Sequence, residues 1–300
     1  MEPSYLGNSV PWVTAEWGIS IMKVILGIDI GGSATKIVGL RSDGQPISML
    51  RISAEDPVTA LFGSLGNFLV SNHLELTDVA RVVLTGVGAT FVDGDIFGIP
   101  TEQVDEFSAI GTGGLALSGQ DTGVVVSMGT GTAFLHVTKD GEVRHLCGSG
   151  IGGGTLSGLG RKLVGMERFG QLKKLALEGD LDRVDLTIQS IYRAVPPTLD
   201  PHMTAANFGD LAEDATPADL AAGVINLVLQ AIGTMSVLAC RSCGADTVIL
   251  TGSLTTLDQA GPNFRSFEQL YGLRYIIPEN ATFATAIGAA LCSLRARGLE

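Results

Sequence analysis

The stretch VILGIDIGGSATKIVGL (residues 24–40) decides how this chain folds. It reads apolar strand, Gly-Gly-Ser turn, apolar strand. A second stretch, GVVVSMGTGTAFLHV (residues 123–137), repeats the design with Gly-Thr-Gly-Thr between its strands. A glycine turn has no Cβ to block close approach, and its backbone N–H groups and hydroxyls form a nest for anions. Gly-Gly and Gly-Thr turns are common in β proteins, so either hairpin alone says little. The pair implies two lobes that grip a nucleotide's phosphates from both sides.

Outward from these hairpins, strands rich in Val and Ile alternate with segments whose apolar residues recur at three- and four-residue spacing. Residues 61–70 and 104–117 are predicted helices around a short buried strand at 81–84. The glycine loop GSGIGGGTLSGLG (148–160) runs into a helix, which brings free N–H groups to its positive end. Beyond it the chain is predicted mostly helical. Residues 169–177 form one helix, TAANFG (204–209) opens another, and 218–243 form a long buried one. Pro196 and Pro197 mark a loop. Strands at 247–250 and 275–277 and a closing helix at 284–294 follow. The alternation is that of an α/β protein.

The 300 residues suit one large or two medium domains. With 45% hydrophobic and 17% charged residues, they can bury a sizeable core. The net charge of −12 argues against nucleic acid or an anionic membrane as partner, because phosphate backbones are bound by clustered Lys and Arg. No apolar run reads as a membrane span. Residues 1–21 carry no Lys or Arg and so lack a signal peptide's basic start. Residues 1–22 are expected to be a disordered extension or a misassigned start. Of the four cysteines, Cys240 and Cys243 have redox or metal spacing, but no second pair or nearby His completes a zinc site. Ordinary buried thiols in a reducing cytoplasm are expected.

Several residues could carry chemistry. Asp29 ends the first strand just before Gly31 and Gly32. It could hold Mg²⁺ directly or through water, since Mg²⁺ takes few protein ligands; otherwise it caps the turn. Ser33, Thr35 and Lys36 could donate to phosphate oxygens, with a solvated strand lysine as the alternative for Lys36. Glu106 opens a helix ahead of the second turn and is the candidate base, since phosphoryl transfer to an alcohol needs a carboxylate near the hydroxyl. Its alternative is a first-turn Glu that offsets the helix dipole, and Asp105 and Glu102 compete with it. Gly129, Thr130, Gly131 and Thr132 could meet phosphate or substrate. Gly152, Gly153, Gly154 and Thr155 could let a nucleotide approach the backbone or could simply make a tight turn. Arg144 and His145 could neutralise an acidic substrate or sit solvated at a strand end. Nothing forms a Ser-His-Asp triad, and the four histidines lack metal spacing.

In the blocks GIDIGGSATKIV, EFSAIGTGG, SMGTGTAF, GGGTLSGLG, TAANFG, VILTGSL and FATAIGAAL the chain resembles the type II pantothenate kinases, within the superfamily of acetate and sugar kinases, Hsc70 and actin. The resemblance covers residues 23–294. It implies a two-lobed actin-like ATPase fold of two RNase H-like domains with the nucleotide cleft between them: residues 23–120, with the closing helix 284–298 packed on them, and residues 121–283. It also implies MgATP-dependent phosphorylation of the primary hydroxyl of pantothenate, the first step to coenzyme A, by a cytoplasmic homodimer to whose interface the long helix contributes. By position, Glu106 matches the family's catalytic glutamate. Asp29, Gly31, Gly32, Ser33 and Lys36 match its first phosphate loop, and Gly129–Thr132 its second. Thr130 falls at a pantothenate-contacting position, and Gly152–Gly154 match the nucleotide-side loop.

One position departs from the pattern. The family's arginine that binds substrate and stabilises the transition state aligns best with His145, and Arg144 falls one residue early, so the resemblance makes His145 or Arg144 the catalytic candidate beside Glu106. A neutral imidazole holds a carboxylate less well than a permanently charged, forked guanidinium. Two further readings therefore stand beside pantothenate. One is a kinase of the same fold for pantetheine or an amino sugar. The other is a nucleotide-dependent regulator or activator.

Overall fold

In the computed structural model, residues 23–53, 56–166, 168–194 and 200–298 are described. The expectations for residues 1–22 and for the loop at Pro196–Pro197 lie outside them. Two sheets are built to one plan. In the first, β1 (Val24–Ile30), β2 (Thr35–Leu40) and β3 (Pro46–Ile52) run antiparallel. Helix α1 (Pro57–Ser71) then leads to β4 (Val79–Thr85), which pairs parallel with β1, and β5 (Thr101–Gln103) pairs parallel with β4. The order is β3-β2-β1-β4-β5. Helix α2 (Glu106–Ser118) passes to the second lobe.

There β6 (Thr122–Met128), β7 (Thr132–Thr138) and β8 (Val143–Ser149) repeat the antiparallel trio. After them come α3 (Gly153–Leu159), α4 (Phe169–Leu175), β9 (Leu186–Thr187), α5 (Ile188–Ile191), β10 (Thr204–Ala206) and α6 (Pro217–Cys243). Strand β11 (Thr247–Thr251), α7 (Ala260–Tyr271), β12 (Arg274–Ile276) and α8 (Ala284–Arg295) close the chain. The second sheet is ordered β12-β11-β6-β7-β8.

Strand alternation assigns the faces. Val124, Val126 and Met128 pack on Ile225, Val228 and Leu229 of α6, while Val125 faces Ile110 and Leu115 of α2. In the first sheet Leu26, Ile28 and Ile30 meet Leu61, Leu65 and Phe68 of α1, and Ile25 and Val38 meet Ala286 and Ala290 of α8. Helices α2 and α8 pack against each other between the sheets. Their closeness requires small residues, since a Cβ on Gly113 would strike the Ala284 carbonyl and one on Gly288 the Ala109 carbonyl.

Three expectations are corrected. TAANFG opens no helix. Thr204–Ala206 is a strand, and Phe208 has a left-handed φ of 57° that a helix would not carry. The cause is Asp185, which is 1% exposed. It accepts hydrogen bonds from Asn226 Nδ2 (2.7 Å), the Phe208 amide (2.8 Å), Thr204 Oγ1 (3.2 Å) and Asn207 Nδ2 (3.3 Å), and these fix the motif onto α6. Secondly, α6 is by length and composition apolar enough to cross a membrane, but 67% of its most apolar window is buried inside the fold, as in a core helix. A capping box between Thr216 and Asp219 starts it and left-handed Gly244 ends it. Thirdly, β3 was not foreseen, because its residues are mostly half-buried and carry no clean alternation.

Candidate active site

A cleft of about 550 Å³ lies between the sheets, where the β1–β2 and β6–β7 turns face each other. Asp29, Gly31, Gly32, Ser33, Lys36, Glu106, Gly129–Thr132, His145 and Gly153 line it. Ser33 Oγ and Thr130 Oγ1 are 3.2 Å apart, so the two turns touch through hydroxyls. Antiparallel register puts Lys36 opposite Asp29, and Lys36 Nζ donates to Asp29 Oδ2 at 2.8 Å. Asp29 is 4% exposed, and this partner offsets the cost of burying its charge. The ammonium is therefore already engaged.

The hydroxyls and glycines of the second turn divide their work. Thr130 faces the cleft, whereas Thr132 Oγ1 donates to the Ile151 carbonyl at 2.8 Å. The glycine loop docks on this turn: Gly153 N–H donates to Gly129 O and Gly154 N–H to Thr130 O, both at 2.8 Å. Gly152 N–H donates to Thr155 Oγ1 at 3.2 Å. A Cβ on Gly152 would stand 2.7 Å from the Thr130 carbonyl, so glycine is needed there for backbone packing. Gly152, Gly154 and Thr155 do not line the cleft; Gly154 braces the second turn through its bond to Thr130 O, while Gly152 and Thr155 bond within the glycine loop itself.

Glu106 is the first residue of α2, whose N-cap is Asp105: the Ser108 amide donates to Asp105 Oδ2 at 2.9 Å. Glu102 instead pairs with Arg81 at 3.2 Å. Both competitors thus have structural partners, and Glu106 alone of the three lines the cleft. Burial raises its pKa above the ordinary 4.5. The negative charge of Asp29 adds to that rise, Lys36 opposes it, and Asp105 adds a smaller increment. A carboxyl held in this way is a better proton acceptor once ionised.

On β8, His145 pairs with Leu135 and Cys147 with Phe134, so two β8 steps answer one on β7. This bulge sets the aim of the side chains. His145 enters the cleft and stacks on Phe107, with ring centroids 4.5 Å apart and planes 6° apart. Arg144 pairs with His136 and does not line the cleft.

Sequence reading missed Phe107, Arg51 and the turn Gly252–Ser253–Leu254 as cleft residues. The Thr-Gly-Ser-Leu that follows a buried strand was a usable signal for the last. Among the described residues, no three His, Cys, Asp or Glu side chains converge on a metal position. One buried carboxylate beside hydroxyl-bearing turns suits Mg²⁺, which keeps several waters and takes few protein ligands.

Residues 123–264 match the Fumble family model. The chain is 31% identical to a type II pantothenate kinase of Staphylococcus haemolyticus, covering 89% of this chain and 98% of that protein. Among solved structures it is similar to the activator of the 2-hydroxyisocaproyl-CoA dehydratase from Clostridium difficile with bound ADPNP (TM-score 0.66, 19% identity, 92% of this chain and 96% of that one). It is also similar to a ROK family glucokinase from Streptomyces griseus in complex with glucose and AMPPNP (TM-score 0.57, 14% identity, 90% and 98%). At these identities the structures speak for the fold alone, the two-lobed actin-like ATPase architecture.

Proposed function

This chain belongs to the type II pantothenate kinases, and on that premise we propose that it transfers the terminal phosphoryl group of ATP to the primary hydroxyl of pantothenate. The observation that supports this most is the convergence, in one cleft, of two mutually touching hydroxyl-bearing turns with a half-buried carboxylate, Glu106. Glu106 orients the acceptor hydroxyl and takes its proton. Ser33, Thr130 and the amides of the two turns meet the phosphoryl oxygens. Asp29 would hold Mg²⁺, directly or through water, and the ion when bound offsets phosphate charge. Lys36 keeps the Asp29 carboxylate in place. His145, held flat by Phe107, faces the acidic end of the substrate; Arg144, on the other face of β8, has no part. Closure of the lobes excludes water and suppresses ATP hydrolysis.

A coupled ADP-release assay with MgATP and pantothenate, beside pantetheine, an amino sugar and a no-acceptor blank, tests the reading. Pantothenate-dependent turnover is expected. Turnover only with another acceptor would keep the kinase and change its substrate.

The activator reading draws on the likeness to the dehydratase activator. An iron–sulfur cluster shared by two subunits needs clustered thiolates. Contrary to the expectation of buried thiols, Cys147 is exposed on β8, where a solvated edge leaves it uncovered, while Cys240 is buried in α6 with its thiol pushed up to about 12, chiefly by burial. A coloured protein, purified without air, would favour that reading over the kinase.

A further inference from the structure

Arg51 is the cleft's remaining cation. Asp29 on β1 is the register partner of Lys36 on β2, and Lys36 is the partner of Arg51 on β3. Directly opposed residues on antiparallel strands share a face, so the three side chains form a row across the sheet toward the cleft. The charge of Lys36 is taken up by Asp29. Arg51 lines the cleft, is exposed, and forms no ion pair with any described residue. Among the described residues it is the one permanently charged group of the cleft left uncompensated.

An uncompensated guanidinium in the cleft that holds the two turns suits an anionic ligand. Glu106 and the Phe107–His145 stack mark one end, reached from β5 and β8. β3 is the edge strand of the first sheet on the side opposite β5. At this end the segment Ala281–Phe283 packs between β2 and the Gly252–Thr256 turn, and the Gly252 amide donates to Ala281 O at 3.0 Å. The two phosphate turns lie between the ends. A triphosphate seated on the turns with its terminal group toward Glu106 leaves its other phosphates to the rest of the cleft, which Arg51 also lines.

We propose that Arg51 binds the phosphates of the nucleotide that are not transferred, supplying by a guanidinium fork the positive charge that Lys36 has given to Asp29. This rests on the kinase reading above and adds a nucleotide-binding residue to it.

The test is titration of the full chain, its Arg51→Ala variant and its Arg51→Lys variant with MgATP and with ADP, alongside steady-state kinetics. Arg51→Ala should weaken ATP and ADP to the same degree, by about ten- to a hundred-fold for a charge-assisted contact. The KM for pantothenate should hold, and Arg51→Lys should recover part of the loss. Nucleotide affinity should also depend less on salt in Arg51→Ala. Unchanged affinity overturns the inference. So does a loss confined to ATP with a fall in kcat, which would put Arg51 on the transferred group, or a loss confined to pantothenate. A wild-type chain that binds no nucleotide would instead overturn the kinase reading, and it would be seen before any variant is compared. An unchanged melting temperature in Arg51→Lys separates these outcomes from misfolding.

Discussion

Replacing Glu106 by Gln keeps the size of the side chain and removes its charge and its capacity to accept a proton. Two opposite effects should follow from one site. Proton acceptance by a positioned carboxylate contributes about 10²–10⁴ in rate, so kcat should fall by that factor, roughly 3–5 kcal/mol of barrier. ATP affinity should change little. Stability should move the other way. Burial, then the field of Asp29, raises the folded-state pKa of Glu106 above 4.5, against the pull of Lys36. The folded chain therefore holds this proton more tightly than the unfolded chain does. Stability from this group is complete below the unfolded value and is lost as pH rises through the higher folded value. Gln does not ionise, so the variant should melt above wild type at neutral pH, and the two curves should meet below about pH 4.5. For a chain of this size each 1 kcal/mol moves Tm by about 2–4 °C. The acid limb of wild-type kcat/KM should lie above 4.5 for the same reason. Coupled ADP release and melting curves across pH give both readouts. A variant that keeps more than about a tenth of wild-type kcat, or that melts lower at neutral pH, would refute the reasoning.

Other substitutions probe the supports of the site. Lys36→Met leaves the Asp29 carboxylate buried without its cation and should cost about 3–5 kcal/mol in urea unfolding; adding Asp29→Asn should restore most of it. Gly152→Ala places a methyl 2.7 Å from the Thr130 carbonyl, so the glycine loop must lift from the second turn. A loss of about 1–3 kcal/mol together with weaker ATP binding is expected in melting and titration experiments. Phe107→Ala removes the stack under His145, worth about 0.5–1.5 kcal/mol. It should raise the KM for pantothenate by about two- to twelve-fold and leave that for ATP unchanged; equal losses for both substrates would assign the ring to packing alone.

Much of the fold was legible because its signals are local. The apolar runs of β1, β2, β6 and β7 fall where the two glycine hairpins predict them. The long apolar α6 is bounded by Thr216-Pro217 and Gly244, whose capping chemistry can be read from sequence. TAANFG misled because its conformation is set by the buried Asp185 carboxylate, a partner about twenty residues earlier in the chain, just ahead of β9. Strand β3, and with it Arg51, stayed hidden for the same reason: an edge strand half-buried along most of its length owes its structure to the neighbour it pairs with.

The sequence alone, through hydrophobic periodicity and turn chemistry, determined that two strand–turn–strand units would each present a glycine turn, and it identified Glu106 as a candidate carboxylate. Only the tertiary structure decided which polar groups are free. It tied Lys36 to Asp29, committed the amides of Gly153 and Gly154 to the second turn, and sent His145 rather than Arg144 into the cleft. Each of those outcomes depends on register, on a bulge, or on a contact between segments far apart in the chain, and none of these is encoded in local residue pattern.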